Sequence, residues 1–152
     1  MIQSEQHPVL NIRLYDPSDQ AAVIALWQRC DLLRPWNDPV KDVFRKVSDS
    51  PDGFFVGYLD GAPRTEIIAA AMAGYDGHRG WVNYLAVDPE HNKQGFGRAM
   101  MDHIEVYLLS LQCPKINLQV RSANTGVIEF YKQLGYSEDA AVSLGKRLIP
   151  DE

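Results

Sequence analysis

The chain carries only two cysteines, Cys30 and Cys113, widely separated and without a histidine pair or metal-ligand spacing beside them. No zinc-type site and no disulfide framework follows. Both read as reduced core thiols of a cytoplasmic protein, a disulfide between them being the lesser alternative. No stretch approaches the roughly 18 apolar residues of a membrane span. The opening MIQSEQHPVL lacks a basic region leading into an apolar run, so no signal peptide is expected. Positive charge is in deficit: 15 Lys and Arg against 20 Asp and Glu leave a net −5, without the basic face that nucleic acid requires. Repeats, low-complexity tracts and linkers are missing too. What remains is 152 residues, 45% hydrophobic and 23% charged, enough for one domain (1–152) with a real core behind a loose leader over 1–10.

Periodicity then orders the chain. Asn11 to Tyr15 alternates as a short strand. Asp16-Pro17-Ser18-Asp19 is a helix start, with Asp16 as cap and Pro17 at the first helical position. Val23, Leu26, Trp27 and Cys30 line one face of that helix. Asn37-Asp38-Pro39 opens a second, along Val40, Val43, Phe44 and Val47. Phe54 to Leu59, Ile67 to Tyr75 and Trp81 to Val87 read as three strands joined by the turns Asp60-Gly61 and Asp76 to Gly80. A helix follows from Phe96 to Leu111, a strand over Lys115 to Val120, and a helix over Asn124 to Leu134 ended by Gly135. Tyr136 to Ile149 is expected to supply one or two closing strands. The fold class is mixed α/β: a central mixed sheet in the order βααβββαβαββ with helices on both faces.

The most informative stretch is Leu85-Ala86-Val87-Asp88-Pro89-Glu90-His91-Asn92-Lys93-Gln94-Gly95-Phe96-Gly97-Arg98. An apolar strand runs through a proline into a polar turn, and two glycines then open a long amphipathic helix. A helix start stripped of side chains presents unsatisfied N–H groups at the positive end of the macrodipole, which suits a pyrophosphate. The alternative is that the glycines merely ease a tight strand-to-helix turn. A Walker loop is excluded, because no Gly-Lys-Ser/Thr opens the helix. A dinucleotide fingerprint is disfavoured, since Met100 holds the third glycine position and the preceding strand belongs to an antiparallel meander.

Strand, x-Pro, polar turn, Gly-x-Gly and helix together resemble the acetyl-CoA-binding motif of the GNAT superfamily of N-acetyltransferases. Asn124 followed seven residues later by Tyr131, in Asn-Thr-Gly-Val-Ile-Glu-Phe-Tyr-Lys-Gln-Leu-Gly-Tyr, resembles that family's second motif. Further stretches are similar to the small bacterial members of the YpeA type: Leu26 to Pro39, Gly74 to Gly80, Cys113 to Ile116, and Ser143 to Ile149. The resemblance implies a cytoplasmic acetyl-CoA-dependent transferase acting by direct attack of a primary amine, on a small molecule or peptide. It implies neither a metal nor a nucleic-acid or membrane partner, and a homodimer stays open. Nothing here has the setting of a Ser or Cys nucleophile, which disfavours an acetyl-enzyme.

By the same resemblance, the backbone of Leu85, Ala86 and Val87 meets the acetyl-pantetheine arm where the strand splays from its neighbour, and one N–H there stabilises the oxyanion. Asn92, Lys93, Gln94, Gly95, Phe96, Gly97 and Arg98 form the pyrophosphate loop, with Phe96 packing inward. Tyr131 is the general acid for the CoA thiolate, a phenol protonated at neutral pH, and Asn124 anchors CoA, caps its helix or both. The loop between the first two helices, with Asp31, Arg34, Trp36 and Asn37, faces the acceptor, while Asp38 reads rather as a helix cap. Two residues depart from the family pattern. Asn92 stands where Gln or Arg is usual, and Gln119 stands where some relatives carry a glutamate base. The base is therefore unassigned among Glu90, His91, Asp76, His78 and a water chain. The same departures motivate an alternative, a non-catalytic acyl-CoA sensor.

Overall fold

The computed structural model describes residues 8–151, so most of the expected leader lies outside the described residues. Strand β1 spans Leu10–Leu14, α1 Gln20–Arg29, α2 Pro39–Asp49, β2 Phe54–Leu59, β3 Ala69–Tyr75, β4 Gly80–Val87, α3 Phe96–Ser110, β5 Ile116–Leu118 and α4 Thr125–Gln133. The sheet order is β1-β2-β3-β4-β5. The first four strands form the antiparallel meander, and β5 lies parallel to β4. A parallel neighbour requires a crossover, and α3 provides it. Among the described residues no helix is long and apolar enough to cross a membrane.

The period-two alternation of the strands separates two cores. Phe54, Val56, Ala70, Met72 and Ala86 face α1 and α2, where Val23, Leu26, Trp27 and Val43 meet them. Phe55, Ala69, Ala71, Ala73 and Val82 face the opposite way, against Met100, Met101, Ile104 and Leu108 of α3 and Tyr131 of α4. The run of alanines in β3 keeps the sheet thin, so that helices approach it on both sides.

Capping proceeds largely as the sequence dictates. Asp16 accepts from Ser18 N at 3.0 Å while Asp19 accepts from Asp16 N at 2.9 Å, closing a capping box around one 3-10 turn before α1 begins. Asp38 accepts from Val40 N and Lys41 N at the start of α2. Gly135, with φ +96°, ends α4 in the left-handed conformation its position suggested.

The expected closing strands are not formed. No strand follows α4 among the described residues. Asp, Ala and Gly in Ser137 to Gly145 are poor strand formers, and the segment runs beside β5 at side-chain reach instead of backbone reach. Lys115 Nζ donates to Asp139 at 2.9 Å and Gln119 Nε2 to Ser143 Oγ at 2.5 Å. The constant offset of 24 residues in both contacts marks a course in the same direction as β5. An open groove of about 1010 Å³ remains there, lined by Leu118, Val120, Ile128, Tyr131 and Leu144 among others.

Candidate active site

Strand β4 pairs with β3 as far as Val87, but with β5 only over Gly80 to Val82. From Asn83 to Val87 its second edge is open, the splay expected beside Leu85, Ala86 and Val87. The ladder with β3 is irregular at the same level. Ala70 faces Ala86 and Met72 faces Asn83, so Ala71 opposes both Tyr84 and Leu85. This is a β-bulge, a device that re-aims side chains, and Tyr84 adopts φ +55° within it. Its ring turns onto Trp27, with centroids 4.0 Å apart, and its hydroxyl donates to Asp42 Oδ2 at 2.6 Å. The Cys30 thiol, half-buried and unoxidised, donates to Val87 O at 3.2 Å.

Beyond β4, Asp88 caps a 3-10 turn over Pro89–His91. Asn92, Lys93, Gln94, Gly95 and Arg98 are exposed, whereas Phe96 is buried as expected. Gly95, φ +81°, is the N-cap of α3, and no side chain caps that helix. The two glycines have different reasons. At Gly95 a Cβ would meet nothing within 4 Å, so the backbone angle is the constraint. At Gly97 a Cβ would stand 2.9 Å from Phe130 Cζ, so this glycine admits the ring of α4 against α3. The sequence suggested close approach to a ligand at both positions; at Gly97 the close neighbour is the protein itself.

Tyr131 is buried in the second core, with Phe130 and Tyr136 rings edge-on at 5.0 and 5.7 Å. Burial pushes its phenol up to about 12, which keeps the proton on at neutral pH. Asn124 Oδ1 accepts from Val127 N at 3.4 Å, a helix cap. Gln119 is engaged with Ser143.

The loop between α1 and α2 separates structural from available groups. Arg34 Nη1 donates to the carbonyls of Asp31 and Leu33 at 2.9 and 2.8 Å, closing its own loop, while the Asp31 side chain is almost wholly exposed. Trp36 is 51% exposed with the Arg121 guanidinium 5.5 Å over its ring, a cation–π pair and not a core contact. Asn37 Oδ1 accepts from Arg147 Nη2 at 2.7 Å. Of the other base candidates, Asp76 is committed to its turn, accepting from His78 N, Arg79 N and Trp81 Nε1.

Sequence reasoning did not single out the C-terminal strap. Asp151, its side chain 1% exposed, receives Arg45 Nη2 at 2.7 Å and Asp38 N at 2.8 Å, with Arg147 Nη1 at 3.8 Å. The tail thereby crosses the front of α2 and the α1–α2 loop. Hydrogen bonding from Arg45, then from the Asp38 amide, lowers the Asp151 carboxyl to about 2. An unfolded aspartate titrates near about 3.9. The clamp is therefore intact above about pH 4 and is lost as pH falls through the folded value. Hydrogen exchange, corrected for intrinsic rates, is expected to show loss of protection at the Asp38 amide between about pH 4 and about pH 2, before the sheet opens. Simultaneous loss with the β2–β3 amides would contradict a separate clamp.

A bare helix start beside a split sheet, with a protonated phenol on the neighbouring helix, suits acyl transfer from a phosphate-bearing thioester. Comparison with known proteins agrees. The model of the acetyltransferase (GNAT) family matches residues 21–136. An acetyltransferase of Pectobacterium atrosepticum is 46% identical over 142 residues, covering 93% of this chain and 98% of that protein. Among solved structures, Ard1 from Thermoplasma volcanium superposes with a TM-score of 0.74 at 23% identity, over 86% of this chain and 84% of its own. The NatC complex bound to Gag peptide and CoA gives 0.69 at 18% identity, over 82% of each chain. The protein is an acyltransferase. It belongs to the GNAT family of acetyltransferases.

Proposed function

We propose that the protein moves an acetyl group from acetyl-CoA to a primary amine by direct attack. The carrying observation is the open edge of β4 from Asn83 to Val87, from which a short polar turn leads into the bare start of α3. The peptide-like amides of pantetheine pair with that edge, and the diphosphate sits on the first-turn amides of α3, with Lys93 and Arg98 adding charge. An N–H of Leu85 to Val87 holds the oxyanion of the tetrahedral intermediate. Tyr131 then gives its proton to the departing thiolate, and the proton released by the new amide nitrogen returns through water. Asn124 remains free on its second oxygen lone pair and amide to meet CoA while it caps α4. Trp36, Asn37 and Arg121 stand on the acceptor side.

Two measurements test this. Calorimetry with acetyl-CoA, paired with thiol release over a panel of amines, is expected to give both binding and turnover. Binding with no turnover on any amine would restore the sensor reading. Gly95→Asp puts a carboxylate where the diphosphate belongs, on a residue type that tolerates left-handed backbone and suits a helix start. It is expected to weaken acetyl-CoA at least about ten-fold, with a modest fall in Tm from the left-handed backbone at this position. Unchanged affinity would move the diphosphate elsewhere.

A further inference from the structure

We propose that Asp42 takes hold of the acceptor amine, with Tyr84 as its positioning residue; this rests on the transferase reading above. Tyr84 immediately precedes Leu85 in the bulge of β4, so whatever its hydroxyl holds is carried by the same backbone that lines the open edge. It holds Asp42 Oδ2 at 2.6 Å. The carboxylate thus reaches from α2 onto the reacting strand, directly after the loop on which the acceptor side is built. Non-glycine residues at positive φ are uncommon, and bulky ones more so. Here the conformation is maintained by the stack on Trp27 and the bond to Asp42, which together aim the phenol.

The carboxylate is suited to an N–H donor. Its side chain is 22% exposed, reachable yet shielded. Tyr84 occupies one lone pair of Oδ2, and Arg45 Nη1 approaches Oδ1 at 3.2 Å. Each oxygen retains capacity for another donor. Arg45 is shared between two carboxylates: its other nitrogen is drawn at 2.7 Å to Asp151, with Nη1 itself 3.3 Å from the same group. The ion pairs that lead outward from Asp42 run through Arg45 on α2 to Asp151 and Arg147 on the strap. Burial and the Asp42 charge raise the Tyr84 phenol well above its ordinary value, so Tyr84 is a fixed donor and not a competing acceptor. A primary amine donating to Asp42 keeps its remaining lone pair, once deprotonated, for the thioester. An alcohol offers one donor and no charge, and binds more weakly.

The test separates amine recognition from fold. Propylammonium chloride is titrated onto the CoA-loaded protein and followed by 1H–15N NMR, with propanol as the uncharged isostere. Saturable shifts centred on Asp42, Tyr84 and Leu85, absent with propanol and with Asp42→Asn, are expected. Shifts centred elsewhere, or persisting in Asp42→Asn, overturn the assignment. In steady state with an amine that turns over, Asp42→Asn is expected to raise KM for the amine at least about ten-fold and leave KM for acetyl-CoA within about two-fold. A kcat loss without a change in amine KM would overturn it as well. Tyr84→Phe leaves the carboxylate and its Arg45 contact in place and is expected to give a smaller rise, carrying the comparison if Asp42→Asn does not fold. Failure of CoA to bind would count against the transferase reading, and the titration on the free protein would still decide Asp42.

Discussion

Tyr131→Phe is expected to lower kcat by about 100-fold or more, the scale on which a positioned general acid acts, while acetyl-CoA affinity and Tm stay close to those of the parent. In the proposed mechanism, the phenol is the part of Tyr131 that the chemistry uses. The ring already fills its place between Phe130 and Tyr136, and phenylalanine fills it equally well. With the proton held up to about 12 by burial, loss of the hydroxyl removes a donor present throughout the neutral range. Single-turnover thiol release at saturating acetyl-CoA reads the step directly. A rate within about three-fold of the parent would remove Tyr131 from the mechanism and pass the proton to water.

The largest stability effect is expected at Gly53. A Cβ built there stands 2.0 Å from the carbonyl oxygen of Ala73, a backbone atom in the middle of β3 that has no freedom to withdraw. That oxygen also receives Lys46 Nζ at 2.6 Å, an ammonium whose pKa is lowered by burial. Gly53→Ala must therefore displace β3, or β2 from it, and expose a half-buried cation to loss of its partner. A cost of about 3 kcal/mol or more is expected, at or beyond the upper end of ordinary overpacking. Urea unfolding monitored by tryptophan fluorescence measures it. A cost below about 1 kcal/mol would mean that the turn over Pro51–Gly53 relocates freely.

The elements were legible where pattern and punctuation coincide. Asp16-Pro17, Asp38-Pro39 and Gly135 marked helix ends because capping chemistry is local, and the meander was readable from its turns. The open edge beside Leu85 to Val87 was expected through family resemblance, and the pairing of β5 over only three residues matches it. The tail misled: its apolar residues Val142, Leu144, Leu148 and Ile149 read as strand, yet all four are exposed and lie in no strand among the described residues. Tyr84 was unreadable for a different reason. A tyrosine in the left-handed region follows from register between strands, which no local signal carries. The reason for Gly97 lay likewise in Phe130, 33 residues later in the chain, and Asp151 acts on groups 106 and 113 residues earlier.

Those last separations set an order of assembly. The residues proposed for the acetyl donor, from Asn83 to Tyr131, form one stretch linked by a strand, a crossover helix and a short second strand. The proposed acceptor side joins Asn37 to Arg147 and Asp38 to Asp151, across 110 and 113 residues. Contacts of such long sequence separation close late. On a ribosome releasing the chain from its N-terminus, Asp38 and Arg45 emerge long before the carboxylate that fixes them. The stretch proposed for the donor is thus complete before Arg147 and Asp151 have emerged.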